Sequence, residues 1–417
     1  LGNVLPEIPG PLLVLEHEGF VLRGRFTPGI DENEWCARRL LARIHRLTLD
    51  RLRREIEPVP VERFVDFVLR WQRTSPGTLG RGRDGVLAVI TQLQGFEIPA
   101  AAWETAVLPA RIASYDPRWL DELCLTGEIV WGRITPPAAG TETEPAGPVR
   151  AATRHVPITL MVREDLPWLR WRYAAKAEPP PLSPRARRAL DVLVGRGASF
   201  FSDLAGLGHL LPAELHGALR ELVAAGMVSQ DGFGAVRSLV SPIRGHRRRR
   251  HRPLAAPRGE GRWTMLSSPF SSPDETIDGW ARQLLARYGI VFRDLLAREH
   301  AAPPWYRILP ALRAMEARGE LRGGRFVANV GGEQYALPEA VERLRQLRDQ
   351  PHHAPIRLSA VDPLNLSGLL IPGPRVRAHP GNVVIVAGGV CVAMRQGGER
   401  WISERLDPET AAAVRAV

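Results

Sequence analysis

The run WARQLLARYGIVFRDLLAREHAAPPWYRILPALRAMEARGELRGGRFVANVGGEQYAL, residues 280–337, decides the fold. Trp280, Leu284 and Tyr288 recur at i, i+4, i+8 and predict one face of a helix, which Gly289 is placed to end. Residues 291–297 read as a second short helix, closed by the breaker segment 300–304. A third helix starts near Pro304, carries Ile308, Leu312 and Met315 on one side, and stops at Gly319. Two β-like runs follow, 325–329 and 334–337, joined by Gly331-Gly332, a hairpin signal. Three helices and then a hairpin is the order of a winged helix, whose third helix can enter a DNA major groove.

The same junction occurs upstream. LCLTGEIVWGRI from Leu123, LVAAGMVSQDGF from Leu222 and MEARGELRGGRF from Met315 each hold a helix end, a Gly, an apolar β-like pair and a second Gly. The first glycines are Gly127, Gly226 and Gly319; the second are Gly132, Gly232 and Gly324. A helix C-cap and a turn both favour positive φ, so both glycines are expected there. Chance in a chain with 39 glycines is the competing explanation. Agreement at three places favours a tandem array, and the expected class is α+β, predominantly α, ending in a small β-rich, barrel-like module.

The chain has 417 residues, room for two to four domains. It opens on Leu1 and ends in a helical pattern, which reads as a piece of something longer. No apolar run approaches a membrane span, so no membrane partner is expected. Cys36, Cys124 and Cys391 are odd in number, far apart and without metal-ligand spacing. They fit buried apolar residues in a reducing, cytoplasmic setting, with no metal site. The His352-His353 pair has no further ligand nearby. Asp31, Glu32 and Glu34 are ordinary acids at a helix N-terminus. The net charge of +11 is almost all arginine, Lys176 being the only lysine. GC-rich codon usage and contact with phosphate both produce such a bias. One lysine leaves no G-x-x-x-x-G-K-[ST] phosphate loop, so no nucleotide cofactor is expected in these residues.

Residues 1–30 read as an irregular or β entry segment. Residues 31–175 read as a helical domain with the first winged helix: a long helix 32–57, with a stripe of Trp35, Leu40 or Leu41, Ile44, Leu47 and Leu52, then helices 61–71, 84–94 and 100–112, and one capped by Asp116-Pro117. The wing is interrupted by PPAAGTETEPAGP, residues 136–148, which has no apolar period. Pro179 to Pro181 mark a linker. Ser183-Pro184 open the second winged helix, 182–242. An Arg-rich linker spans 243–262, the third winged helix 263–350, and the β-rich module 354–417.

With those pieces in order, the chain resembles the C-terminal region of the long bacterial Lhr-type superfamily-2 helicases. The resemblance rests on residues 1–29, LQGFEIPAAAWETAVLPARI (93–112), WARQLLARYGIVFRDLLARE (280–299), EARGELRGGRFV (316–327) and SAVDPLNLSGLLIPGPR (359–375). It implies a nucleic-acid-binding and assembly region of an ATP-dependent DNA helicase acting in DNA repair. ATP and Mg would belong to motor domains N-terminal to these residues. The implied partners are DNA, single-stranded or a junction, and further copies of the chain. The resemblance also implies likeness to tandem winged-helix DNA glycosylases, so a base-excising module and a purely oligomeric scaffold stand as alternatives.

Three groups are candidate sites. The run RGHRRRRHR carries Arg244, Arg247, Arg248, Arg249, Arg250 and Arg252, a phosphate contact or a solvated linker. Trp305, Arg307, Arg313, Arg322 and Arg325 lie on or beside the third unit's recognition helix and wing. An aromatic among arginines suits a stacked base on a held backbone, and a core Trp with solvated arginines is the other reading. Gln92 and Gln94 are the only pair with a catalytic flavour. By resemblance, a Gln–apolar–Gln motif in such glycosylases holds a water and the damaged nucleotide, with Glu97 or Asp84 as carboxylate. In a second register Gln94 takes the first position and Phe96 the second, losing half the motif. Two helix-surface glutamines explain the pair as well.

Overall fold

In the computed structural model the described residues are 9–54 (save 28 and 30), 57–135, 155–170, 181–240, 261–267, 271–347 and 355–415 (save 372, 374, 405 and 407). The N-terminal part is helix α1 (Pro9–His17), strands β1 (Val21–Gly24) and β2 (Glu34–Ala37) as an antiparallel pair, and helix α2 (Arg38–Arg54). The expected helix over 32–57 therefore begins only at Arg38, because Trp35 and Cys36 pair with β1 instead. Its stripe is not buried: Leu40, Ile44 and Leu47 are about half exposed, as are Leu13, Val14 and Leu22. The entry segment likewise holds a helix that its prolines and glycines did not suggest.

Helix α3 (Val61–Trp71) is followed by three winged-helix units built to one plan. The first is α4 (Gly82–Leu93), β3 (Ile98–Pro99), a π-helical turn Trp103–Val107, α5 (Pro117–Leu125), β4 (Ile129–Gly132) and β5 (Pro157–Val162). Its sheet order is β3-β5-β4, so the strand before the wing and the strand after it pair directly. The helix expected over 100–112 is this wide π-helical turn, where the Leu108 N–H reaches back five residues to the Trp103 carbonyl at 2.9 Å. Residues 136–148 lie outside the described residues, as do 352–353. A short helix α6 (Leu166–Leu169) closes the unit.

The second unit is α7 (Pro184–Arg196), α8 (Phe201–Leu207), α9 (Pro212–Ala224), β6 (Val228–Gln230), α10 (Gly234–Val240) and β7 (Trp263–Met265). Ser183 caps α7, its Oγ accepting the Ala186 N–H at 3.2 Å. Ser199 bridges Trp263 and β7 pairs with β6, so the order is again first strand, third strand, second strand. Trp263–Met265 thus completes the second unit from beyond the Arg-rich segment.

The third unit is α11 (Pro273–Tyr288), β8 (Ile290–Val291), a 3-10 helix Arg293–Arg298, α12 (Trp305–Ala317), β9 (Arg322–Gly324) and β10 (Gln334–Ala336), in the order β8-β10-β9. Trp280, Leu284, Tyr288, Ile308, Leu312 and Met315 are fully buried. The first wing strand lies three residues before the run read from sequence. Residues Phe326 and Val327 turn inward instead, their N–H groups capped by Gln334 Oε1 at 2.9 and 2.8 Å.

Gly127, Gly226 and Gly319 have φ of +81°, +71° and +78°, the left-handed geometry a helix-to-wing junction needs. The second glycines do not share it, and positive φ is not their reason. At Gly132 the reason is contact: a Cβ there would stand 2.4 Å from Leu266 Cδ2 of the second unit.

Helix α3 does not pack in the first unit. Val59, Phe64 and Phe67 share one core with Leu284, Phe292 and Tyr335, and Val59 forms a parallel bridge to Val327. Helix α13 (Pro338–Leu347) and the C-terminal module join that core. The module is an antiparallel meander of β11 (Ile356–Ser359), β12 (Val383–Ala387), β13 (Val390–Gln396) and β14 (Glu399–Ile402), with α14 (Pro408–Arg415) against one face. Among the described residues it is an open four-stranded sheet and closes no barrel.

Candidate nucleic-acid interface

The third helices of the three units differ in what they show to solvent. In the first unit, α5 carries Asp121 and Glu122, and its side faces the second unit. Arg237 of α10 donates to Asp121 Oδ2 at 2.8 Å and to Glu104 Oε2 at 2.6 Å. Tyr115 donates to the same Glu104 at 3.0 Å. An acidic helix occupied by a neighbouring unit is unsuited to phosphate. In the second unit, α9 is buried over most of its length, from Ala218 to Ala224 save the half-buried Arg220.

Helix α12 of the third unit is different. Tyr306, Arg307, Pro310, Arg313, Ala314, Ala317 and Arg318 are exposed, along the side opposite Ile308, Leu312 and Met315. Arg322 and Arg325 are exposed at the root of the wing. Trp305 is half-buried and packs against the core, so it is neither a free stacking platform nor a wholly internal residue. It lines a groove of about 600 Å³ with Arg293, Leu296, Ala297 and Tyr306. Tyr306, which the sequence reading passed over, is 70% exposed. Arg313 is already engaged: its guanidinium takes both oxygens of Glu333, Nε at 3.1 Å from Oε2, which ties the recognition helix to the wing and raises the Arg313 pKa. The nearby Glu320 carboxylate accepts from Arg318 Nε at 2.5 Å and Arg282 Nη2 at 2.8 Å, and these bonds hold it below its ordinary value. The structure thus brings Trp305, Arg307, Arg313, Arg322 and Arg325 onto one helix-and-wing element, on which Arg307, Arg322 and Arg325 are exposed.

Arg244, Arg247, Arg248, Arg249, Arg250 and Arg252 lie outside the described residues. Their place in the chain is defined by their flanks. They fall between the paired strands β6 and β7, inside the second unit's wing connection and not between two units.

Gln92 and Gln94 are inside the molecule, at the seam between α4 and α11. The Gln94 side chain is 2% exposed, and both of its amide donors are used. Its Nε2 donates to Asp165 Oδ2 at 2.7 Å and Gln283 Oε1 at 3.1 Å, while its Oε1 accepts the Val162 N–H at 3.0 Å. Gln92 Nε2 donates to the Trp71 and Ala286 carbonyls, each at 3.1 Å. Gln92 is half-buried and Gln94 buried, and with both amide donors of Gln94 already used, one acceptor lone pair is all it could offer a water or a sugar. Glu97 is spent on the first wing, accepting the Ile134 N–H at 2.6 Å and the Thr135 N–H at 2.9 Å. Burial pushes its pKa up, against those hydrogen bonds. Asp84 is exposed beside Arg83 at 3.7 Å. Phe96 lies under the guanidinium of Arg287, 5.5 Å from its ring centre.

That seam contains polar residues which the periodicity hid. Arg287 is wholly buried, bonded to Glu299 and to the Gln94 carbonyl, and Tyr288 donates to Glu299 at 2.8 Å. Their spacing on α11 matches an apolar stripe, and their partner Glu299 lies just before the breaker segment 300–304. Among the described residues, no group of three or more His, Cys, Asp or Glu could hold a metal, and no helix is long and apolar enough to cross a membrane.

Comparison with known proteins adds a family. The third and fourth Lhr winged-helix domain families, each described as "Large helicase-related protein, winged-helix domain", match residues 59–151 and 271–356. The Lhr helicase/probable uracil glycosylase of Mycolicibacterium smegmatis is 30% identical over 417 residues, covering 93% of this chain and 26% of that protein. The Lhr helicase/uracil glycosylase of Escherichia coli is 28% identical over 458 residues, covering 95% of this chain and 28% of that protein. The chain therefore spans about a quarter of the length of these curated relatives. Among solved structures, the DNA glycosylase AlkZ of Streptomyces sahachiroi superposes with a TM-score of 0.48 at 14% identity, over 86% of this chain and 95% of that one. Two matching winged-helix domains, and likeness to both Lhr proteins along nearly its whole length, identify the chain as a C-terminal, winged-helix region of the Lhr, or large helicase-related, family.

Proposed function

We infer that this region holds DNA and takes part in assembly beside an ATP-dependent helicase motor, in DNA repair in the cytoplasm. One observation carries the reading: of the three recognition helices, only α12 presents an open face lined by cations, with Arg322 and Arg325 continuing it onto the wing. Such a face contacts phosphates, and Tyr306 beside Trp305 offers a ring to a base in a single strand or junction. The arginine run in the second wing adds a sequence-independent contact. Assembly as a homo-oligomer is supported by the apolar face of α2, where Leu40, Ile44 and Leu47 are about half exposed. The residues present do not fit an ATP motor, having no phosphate loop, so ATP and Mg belong to motor domains of the parent protein.

The test is retention of forked and single-stranded DNA by the purified region. Arg307→Ala/Arg322→Ala/Arg325→Ala should weaken binding and flatten its salt dependence, and parental binding by that variant would refute the reading. A base-excising module remains the second reading, favoured by the names of the two relatives. Release of uracil from a uracil-containing oligonucleotide by this region would establish it. The acting residues would then be others than Gln94, whose two amide donors are already committed.

A further inference from the structure

The face of the C-terminal sheet under α14 has a pocket that none of the readings above uses. Cross-strand register places Val383, Arg395 and Arg400 in one row and Ile385, Ala393 and Ile402 in the next, all on this face. Val414 of α14 packs with Ile385 and Ala393 and forms the opposite wall. The result is a cavity of about 160 Å³ with an apolar floor and three guanidinium groups around it, Arg395, Arg400 and Arg415.

Two features of this arrangement make no sense as stability. Arg395 and Arg400 stand directly opposite one another on adjacent strands, where like charges repel. Neither they nor Arg415 has an ion-pair partner among the described residues, unlike Arg111, Arg237, Arg282 and Arg313. Arg395 is moreover half-buried over apolar side chains. A cluster of this kind is relieved by an anion, and the planar guanidinium fork suits phosphate.

The cavity also limits the rest of the ligand. Its volume is well below the ~300–1,000 Å³ that encloses a drug-sized molecule, so it has room for one ring system only. β14 is exposed along its whole length, so a chain can enter and leave across that edge. We propose that this pocket binds one nucleoside phosphate unit, the base against Ile385, Ala393 and Ile402 and the phosphate on Arg395, Arg400 and Arg415. The unit is either a nucleotide within a single strand or a free mononucleotide. The site is separate from the α12 face and stands or falls without it.

The experiment follows fluorescence anisotropy of 5′-fluorescein-labelled (dT)₁₂ across a salt series, with excess unlabelled dTMP as competitor. Arg395→Ala/Arg400→Ala should weaken binding, and the log–log salt slope should fall by about 0.7, the value for one phosphate contact on a single strand. Its melting temperature should hold or rise, because a repulsion has been removed. If the double variant fails to fold, the surface substitution Arg400→Glu provides the same comparison. Displacement of the label by dTMP from the parent, but not from the variant, assigns the site to free nucleotides as well; no displacement confines it to a strand. Arg307→Ala/Arg322→Ala/Arg325→Ala should still respond to the pocket substitutions. Parental affinity and slope in the pocket variants, together with no dTMP effect, would overturn the proposal.

Discussion

Arg111 and Asp362, 251 residues apart in sequence, form a buried two-pronged ion pair, with Nη1 to Oδ2 at 2.7 Å and Nη2 to Oδ1 at 2.8 Å. Arg111 is 0% exposed and also donates to Gln72 Oε1 at 3.0 Å, so one guanidinium joins the first winged helix, the end of α3 and the C-terminal module. Asp362 also caps its own turn, accepting the Leu364 N–H at 3.0 Å. Removing one partner strands a charge in the interior, which typically costs ~3–5 kcal/mol. Asp362→Ala should therefore lower the urea midpoint strongly, and Arg111→Met with Asp362→Leu should recover part of the loss. Equal midpoints for Asp362→Ala and parent would show that the pair contributes nothing.

The seam around Gln94 makes a sharper statement about catalysis. Gln94→Ala leaves Asp165, Gln283 and the Val162 N–H short of a partner, at about 1–3 kcal/mol for each group left unsatisfied. Any excision of uracil by the variant should fall only as far as its folded fraction falls. Excision abolished at an unchanged melting temperature would make Gln94 part of a reaction after all.

For the second wing, Arg247, Arg248, Arg249 and Arg250 replaced by Ala should weaken single-strand binding while melting stays parental. One phosphate contact each lowers the log–log salt slope by about 0.7 per arginine. A parental slope would identify the run as a solvated connection.

Stability of the second unit should also depend on pH. Burial, with Arg220 adding to it, holds His216 below its ordinary 6.5, and its ring lies 4.8 Å from that of Phe201. The folded form thus binds fewer protons than the unfolded chain. Its contribution is complete above pH 6.5 and is lost as pH falls from there through the folded value. Thermal unfolding between pH 7.5 and 5 should show this loss, and His216→Gln should flatten it. An unchanged pH profile in that variant would remove His216 as the cause.

The helical faces and junction glycines were legible from sequence because each is a local event. Ile308, Leu312 and Met315 declare a buried face by their spacing, and Gly127, Gly226 and Gly319 declare a helix end because L side chains avoid positive φ. Collinear runs such as residues 280–299 carried the family as well. Tertiary structure decided the rest, through contacts between residues far apart in the chain. Val59 pairs with Val327, and Trp71 Nε1 donates to Ala286 at 2.8 Å, so α3 belongs to the core of the third unit and not to its sequence neighbours. Strands of two or three residues, such as β8 and β7, are too short to show a period and exist only because a partner strand is waiting. Arg287 occupies a core position on α11 because Glu299 and the Gln94 carbonyl satisfy it there. Whether a polar side chain is surface, seam or site depends on what folds against it, and that information is not local to the chain.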